Sequence, residues 1–139
     1  MKIQDAIARL QRAGDENSKA TKKLHEAARN VADLIEQNAP VNVTLPRGYK
    51  VLRYKSNVGS QLFLKSGHTD EYGDGDMVDG CGCYLHGDFN CWIPAQTREC
   101  SLQFARDVAE GLLDEIAAFI EARKTESEKA AETLNVKLS

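Results

Sequence analysis

Aromatic residues are scarce in this chain of 139 residues, with only 6% Phe, Trp and Tyr, and there are just three prolines. No uninterrupted apolar run of about 18 residues occurs, which argues against a membrane-spanning helix. An excess of base is also missing. Eighteen Lys and Arg stand against 21 Asp and Glu, for a net charge of −3, whereas general polyanion binders carry a clear basic surplus. The sequence has no Gly-rich phosphate loop, no paired metal-binding histidines and no serine nucleophile elbow, so the commonest signatures of catalysis are absent. The first sixteen residues hold acids and no apolar h-region, unlike a secretory leader. A cytoplasmic address with reduced thiols is the expectation.

A chain of this length fits one domain and buries roughly two-thirds of its extended surface without staples. Three segments organise it: a helical arm over 2–38, a strand-rich middle over 41–94 with an acidic loop at 67–80, and a second helical arm over 97–131. Positions 132–139 read as a frayed tail. In the first arm apolar or small residues recur at Ile3, Ile7, Leu10, Gly14, Leu24, Ala28, Val31 and Ile35, with Asn17 and Thr21 completing an unbroken 4-3 alternation. Such a heptad seam implies packing against another helix. One long helix accounts for it; the alternative is two shorter helices broken at Gly14–Ser18. Pro40 disfavours a helical Ala39 and sets the end. His25, among Lys and Glu, reads as solvated.

In the middle, Val41–Leu45 alternates apolar and polar, the pattern of a half-buried strand. Pro46-Arg47-Gly48 reads as a turn, Tyr49–Tyr54 as a second strand and Gln61–Lys65 as a third. Gly82–His86 and Phe89–Ile93, split by Gly87-Asp88, complete the set. The fold class expected is therefore α+β: a long N-terminal helix, a central four- or five-stranded antiparallel meander, and a long C-terminal helix packing on both. The second arm takes Thr97 as its N-cap, with Leu102, Ala105, Ala109, Leu112, Ile116 and Phe119 as its apolar stripe.

Charge is segregated within the middle. Arg47, Lys50, Arg53, Lys55 and Lys65 are interleaved with Tyr49, Tyr54 and Phe63 and meet no acid before Asp70. Basic strands with aromatics can hold phosphate and stack a base, so Arg47, Lys50, Arg53, Tyr54, Lys55 and Lys65 are the candidate ligand-binding residues. The competing reading is a solvated sheet face, or one neutralised by the acids of the following loop. That loop, Thr69–Gly80, has the look of a calcium site but lacks the closing carboxylate at the twelfth place. Cys81, Cys83, His86 and Cys91 are candidate zinc ligands. Their spacing matches no recognised zinc frame, and buried thiols packing as weak hydrophobes are the leading explanation of the cysteines. Catalysis by a thiolate is disfavoured, because strand alternation puts Cys83 and His86 on opposite faces.

The functional expectation is a non-enzymatic binding protein, a homo-oligomer (a dimer favoured) joined through its terminal helices, with another protein or a nucleotide as ligand. Nucleotide or short nucleic-acid capture and a small structural-zinc module are the alternatives. In general character, a short acidic chain with a helical scaffold and no catalytic motif resembles small phage-encoded inhibitors of host systems, a likeness of type and not of sequence.

Overall fold

In the computed structural model the described residues are 2–56, 59–66, 92–93 and 98–138. Helix α1 runs without interruption over Lys2–Asn38. Its interior is mostly Ala, Lys, Arg, Glu, Gln and Leu, the strong helix formers, and the single Gly14 costs only about 1 kcal/mol relative to Ala. The helix stops where Pro40 forbids another α residue before it. Its last turn is closed by Ala39 N–H donating to the Ile35 carbonyl at 2.8 Å, and by Asn38 Nδ2 donating to the Leu34 carbonyl at 2.8 Å.

The chain then turns into a hairpin. Strands β1 (Lys50–Ser56) and β2 (Gly59–Lys65) pair antiparallel, with Lys50 opposite Lys65 and Ser56 opposite Gly59. A two-residue strand β3 (Trp92–Ile93) joins the far side of β2, opposite Leu64 and Lys65. This corrects the expected four- or five-stranded meander. Among the described residues the sheet is essentially one two-stranded hairpin with a short addition, and helices make up most of the structure. Val41–Leu45 is not a strand: it makes only isolated bridges, Val41 with Val51 and Thr44 with Lys50. Asn42 takes a left-handed φ of 62°, a conformation Asn tolerates and a strand does not. The expected strand Gly82–His86 and the acidic loop lie outside the described residues.

The C-terminal arm is likewise corrected from one long helix to two, α2 (Arg98–Ala109) and α3 (Leu112–Leu138). Gly111 adopts φ 114° between them, the usual means of ending a helix. Leu112 and Ile116 continue the apolar spacing of α2 across the break, which is why periodicity conceals it.

The core forms where the C-terminal half of α1 meets β2 and α2. Ala28, Ala32 and Ile35 of α1 bury against a cluster that includes Val51, Leu64 and Phe104, with Leu112 and Ile116 from the start of α3. Full burial of each large apolar side chain contributes about 1.5–3 kcal/mol. The core ends on α3 at half-buried Phe119 and Ile120, and the Arg123 guanidinium lies 5.8 Å from the centre of the Phe119 ring. From position 121 to 135 every residue is exposed.

One buried carboxylate fastens the hairpin to α1. Glu36 Oε2 accepts the Leu64 N–H at 2.8 Å, while Oε1 accepts from Arg29 Nη2 at 2.6 Å. Arg29 also donates to Asp33 at 2.8 Å. Replacing Glu36 with Ala strands a buried amide and is expected to cost about 1–3 kcal/mol, read as a lower urea midpoint at unchanged slope; an unchanged midpoint would refute this role.

Candidate functional site

The first polar junction is built on Tyr49, fully buried and edge-on to Phe104 with ring centroids 5.8 Å apart. Its hydroxyl donates to Asp107 Oδ2 at 2.6 Å, and Asp107 itself is only 3% exposed. Gln103 Nε2 donates to the other oxygen at 3.3 Å. Burial and the adjoining Asp107 carboxylate raise the Tyr49 phenol well above its ordinary range. Arg47 arrives from the tight 3-10 turn Pro46–Gly48, in a left-handed φ of 63°. Its guanidinium reaches Glu115 at 2.8 and 2.9 Å, Glu110 at 2.7 Å and Asp107 at 3.4 Å. Hydrogen bonding to Arg47 holds the Glu115 carboxyl below its usual value. The α2–α3 corner is thereby clamped to the turn that precedes β1.

The candidate ligand-binding residues are not gathered into one cluster. Arg47 is drawn to the helical corner and engages carboxylates of α2, α3 and the turn between them. Lys50 and Lys65 sit opposite one another in the ladder, both half-buried. Arg53 is exposed and donates to Ser60 Oγ at 3.2 Å. Tyr54 and Lys55 take positions opposite Gln61 and Ser60. The candidate zinc ligands Cys81, Cys83, His86 and Cys91 lie outside the described residues. The remaining thiol, Cys100, is half-buried on α2. Among the described residues no group of three or more His, Cys, Asp or Glu is placed to hold a metal, and no helix is long and apolar enough to cross a membrane.

Sequence reasoning missed two contacts. His25 is half-buried rather than solvated, with Nδ1 2.9 Å from the oxygen of fully buried Ser101. The Tyr49–Asp107 pair spans 58 residues, and no local pattern announces it. The Arg29–Asp33–Glu36 chain was findable, since its members share a helical face at four- and seven-residue spacing.

The most unusual surface lies at the other end of α1. Every residue from Lys2 to Ala20 is exposed, and Ile3, Ile7 and Leu10 are open to 72, 49 and 72%. These three belong to the same seam whose later positions, Ala28 and Ile35, are buried in the core. Beside the seam a groove of about 740 Å³ passes Asn17, Thr21, His25 and Arg29. A smaller open cleft, about 390 Å³, lies between α1 and β2 at Asp33, Gln37, Gln61 and Leu62. Compared with protein-family models, curated proteins and solved structures, the chain matches none.

Two measurements check the Tyr49 junction. Tyr49→Phe leaves Asp107 short of a donor and is expected to cost about 1.5–3 kcal/mol, the range for a hydrogen bond to a charged group. Because the folded phenol titrates above its unfolded value of about 10, its contribution is present below that pH. It is lost as the solution becomes more alkaline, so the wild-type advantage over Tyr49→Phe should shrink there. Equal urea midpoints for the two proteins at neutral pH would exclude the junction as a stabilising element. The Glu115 shift works in the opposite sense. With its folded value depressed, the Arg47 pair stabilises above about 4.5 and is lost as pH falls through the lower folded value. Arg47→Ala should therefore unfold more easily than wild type at neutral pH and no more easily in strong acid; a difference that persists in acid would contradict it.

Proposed function

We propose that this chain is a non-enzymatic interaction protein that joins a second copy of itself through the N-terminal half of α1 and presents the hairpin end as its recognition surface. One observation carries the reading: the apolar seam of α1 continues for three exposed members, Ile3, Ile7 and Leu10, beyond the part that the other described elements cover. Scattered exposed apolar residues are ordinary on a protein surface. A row of them in register with a buried row, on a helix projecting from its own core, is not. Symmetric pairing is the commonest way for such a face to be covered.

The hairpin end supplies polar and apolar groups along the cleft between α1 and β2, suited to a protein partner. The nucleotide reading would require Arg47 to leave the carboxylates of Asp107, Glu110 and Glu115, at a loss of several charge-assisted hydrogen bonds.

Sedimentation at micromolar concentration is expected to give about twice the 15.4 kDa chain mass. Leu10→Lys should return the single-chain mass with the helical circular dichroism retained, because Leu10 is exposed and lies outside the core cluster of the described residues. A wild-type mass near 15.4 kDa under these conditions would overturn the proposal.

A further inference from the structure

The projecting half of α1 carries enough pattern to assign the direction in which two copies pair, a question that rests on the self-association proposed above. With Ile3, Leu10, Asn17 and Leu24 at heptad position d, and Ile7, Gly14 and Thr21 at a, each remaining residue has a defined place. Between Ile3 and Thr21 no charged residue stands at a, d, e or g; every charge from Lys2 to Lys19 falls on b, c or f. One flank of the seam, position g, is Ala6, Ala13 and Ala20. Helices flanked by such short side chains pack closely, toward the lower end of the usual 8–10 Å axis separation.

The seam itself is lopsided. Its outer members Ile3, Ile7 and Leu10 are large, and its inner members Gly14, Asn17 and Thr21 are small or polar. Parallel pairing stacks like on like, opening a void where Gly14 meets Gly14 and layering Asn17 on Asn17. It also brings both folded bodies to the same end of the pair. Antiparallel pairing about a two-fold axis near Arg12 does the reverse. Ile3 then meets the partner's Thr21, Ile7 meets the partner's Asn17, and Leu10 fills the space over the partner's Gly14. A side chain added at Gly14 would touch nothing within 4 Å among the described residues, so that space can receive an incoming residue. Ala6 faces the partner's Ala20, and Ala13 faces its own copy. Just outside them Arg9 lies across from the partner's Glu16, twice by symmetry. The one like-charged pair, Lys2 with the partner's Lys23, falls at the solvated ends, where repulsion is weak.

The groove beside Thr21 and Asn17 adds a receiving surface for the partner's tip. At 1.5 Å per residue the overlap from Ile3 to Thr21 spans about 27 Å, leaving the two bodies at opposite ends. We infer that two copies of this chain pair antiparallel along positions 3–21 of α1, each laying its Ile3 tip beside Thr21 of the other.

Disulfide trapping tests the direction. Full-length Ile3→Cys and Thr21→Cys chains are mixed, oxidised and digested, and the linked peptides are identified by mass spectrometry, which separates them from products of the natural cysteines. Positions that face each other in one layer of such a close-packed pair come within reach of the 4.4–6.8 Å Cα separation a disulfide accepts. The expected product joins position 3 of one chain to position 21 of the other, in dimers that sediment at twice the single-chain mass. Cross-links joining position 3 to position 3 would make the pairing parallel and overturn this inference while leaving self-association intact. A dimer yielding neither product would place the interface elsewhere and also overturn it. Single-chain mass for the wild type would overturn both.

Discussion

A helix of 37 residues is about 55 Å long at 1.5 Å per residue, and the other described elements pack on little more than its second half. Only the second half, from about Leu24, touches anything described in the protomer. That mismatch of length governs the molecule. The hairpin and α2 gather on the covered half, where Ala28, Ala32 and Ile35 offer an apolar face, and the other half carries the same seam with no partner among the described residues. Burying Ile3, Ile7 and Leu10 recovers hydrophobic free energy that the isolated fold forgoes.

Within the covered half, polar contacts decide how the parts are oriented. Apolar contact is non-directional, so a small hairpin resting on a helix has many comparable seats. Glu36 selects one by accepting a particular amide, that of Leu64, while Arg29 keeps the carboxylate charge compensated. Asp107 does the same on the other side, fixing the Tyr49 hydroxyl and drawing in Arg47. A carboxylate taken out of water is unfavourable unless hydrogen-bonded and paired, and both of these are. The two anions thus index α1 to β2 and α2 to the turn before β1. The Arg47 clamp then extends that indexing to α3.

What could be read from the sequence was what repeats locally. The α1 seam is legible because Ile3 to Ile35 keep one spacing throughout, and β1 and β2 because Gly48 and Gly59 punctuate two strand-forming runs. The alternation at Val41–Leu45 is too short to separate a strand from an irregular segment, and a single left-handed Asn42 makes it the latter. The Gly111 corner was hidden because the residues after it happen to continue the stripe before it. The basic residues form one group in sequence but not in space, because Arg47 is claimed by carboxylates 60 to 68 residues away. For the candidate interaction surface, the seam and its polar interruptions were visible from the start. That positions 2–20 are exposed, with no other described element packed on them, required the structure.

The projecting half of α1 has a kinetic consequence. A helix of about twenty residues standing alone in water is near the lower limit of stable length, so its backbone opens from the tip inward far more often than the covered half does. Amide hydrogens along α1 would then exchange with solvent on a gradient, fastest near Ile3 and slowest near Ala32. A single rod would thus hold a fast-exchanging zone and a protected one, and the boundary between them would mark where the surrounding protein begins.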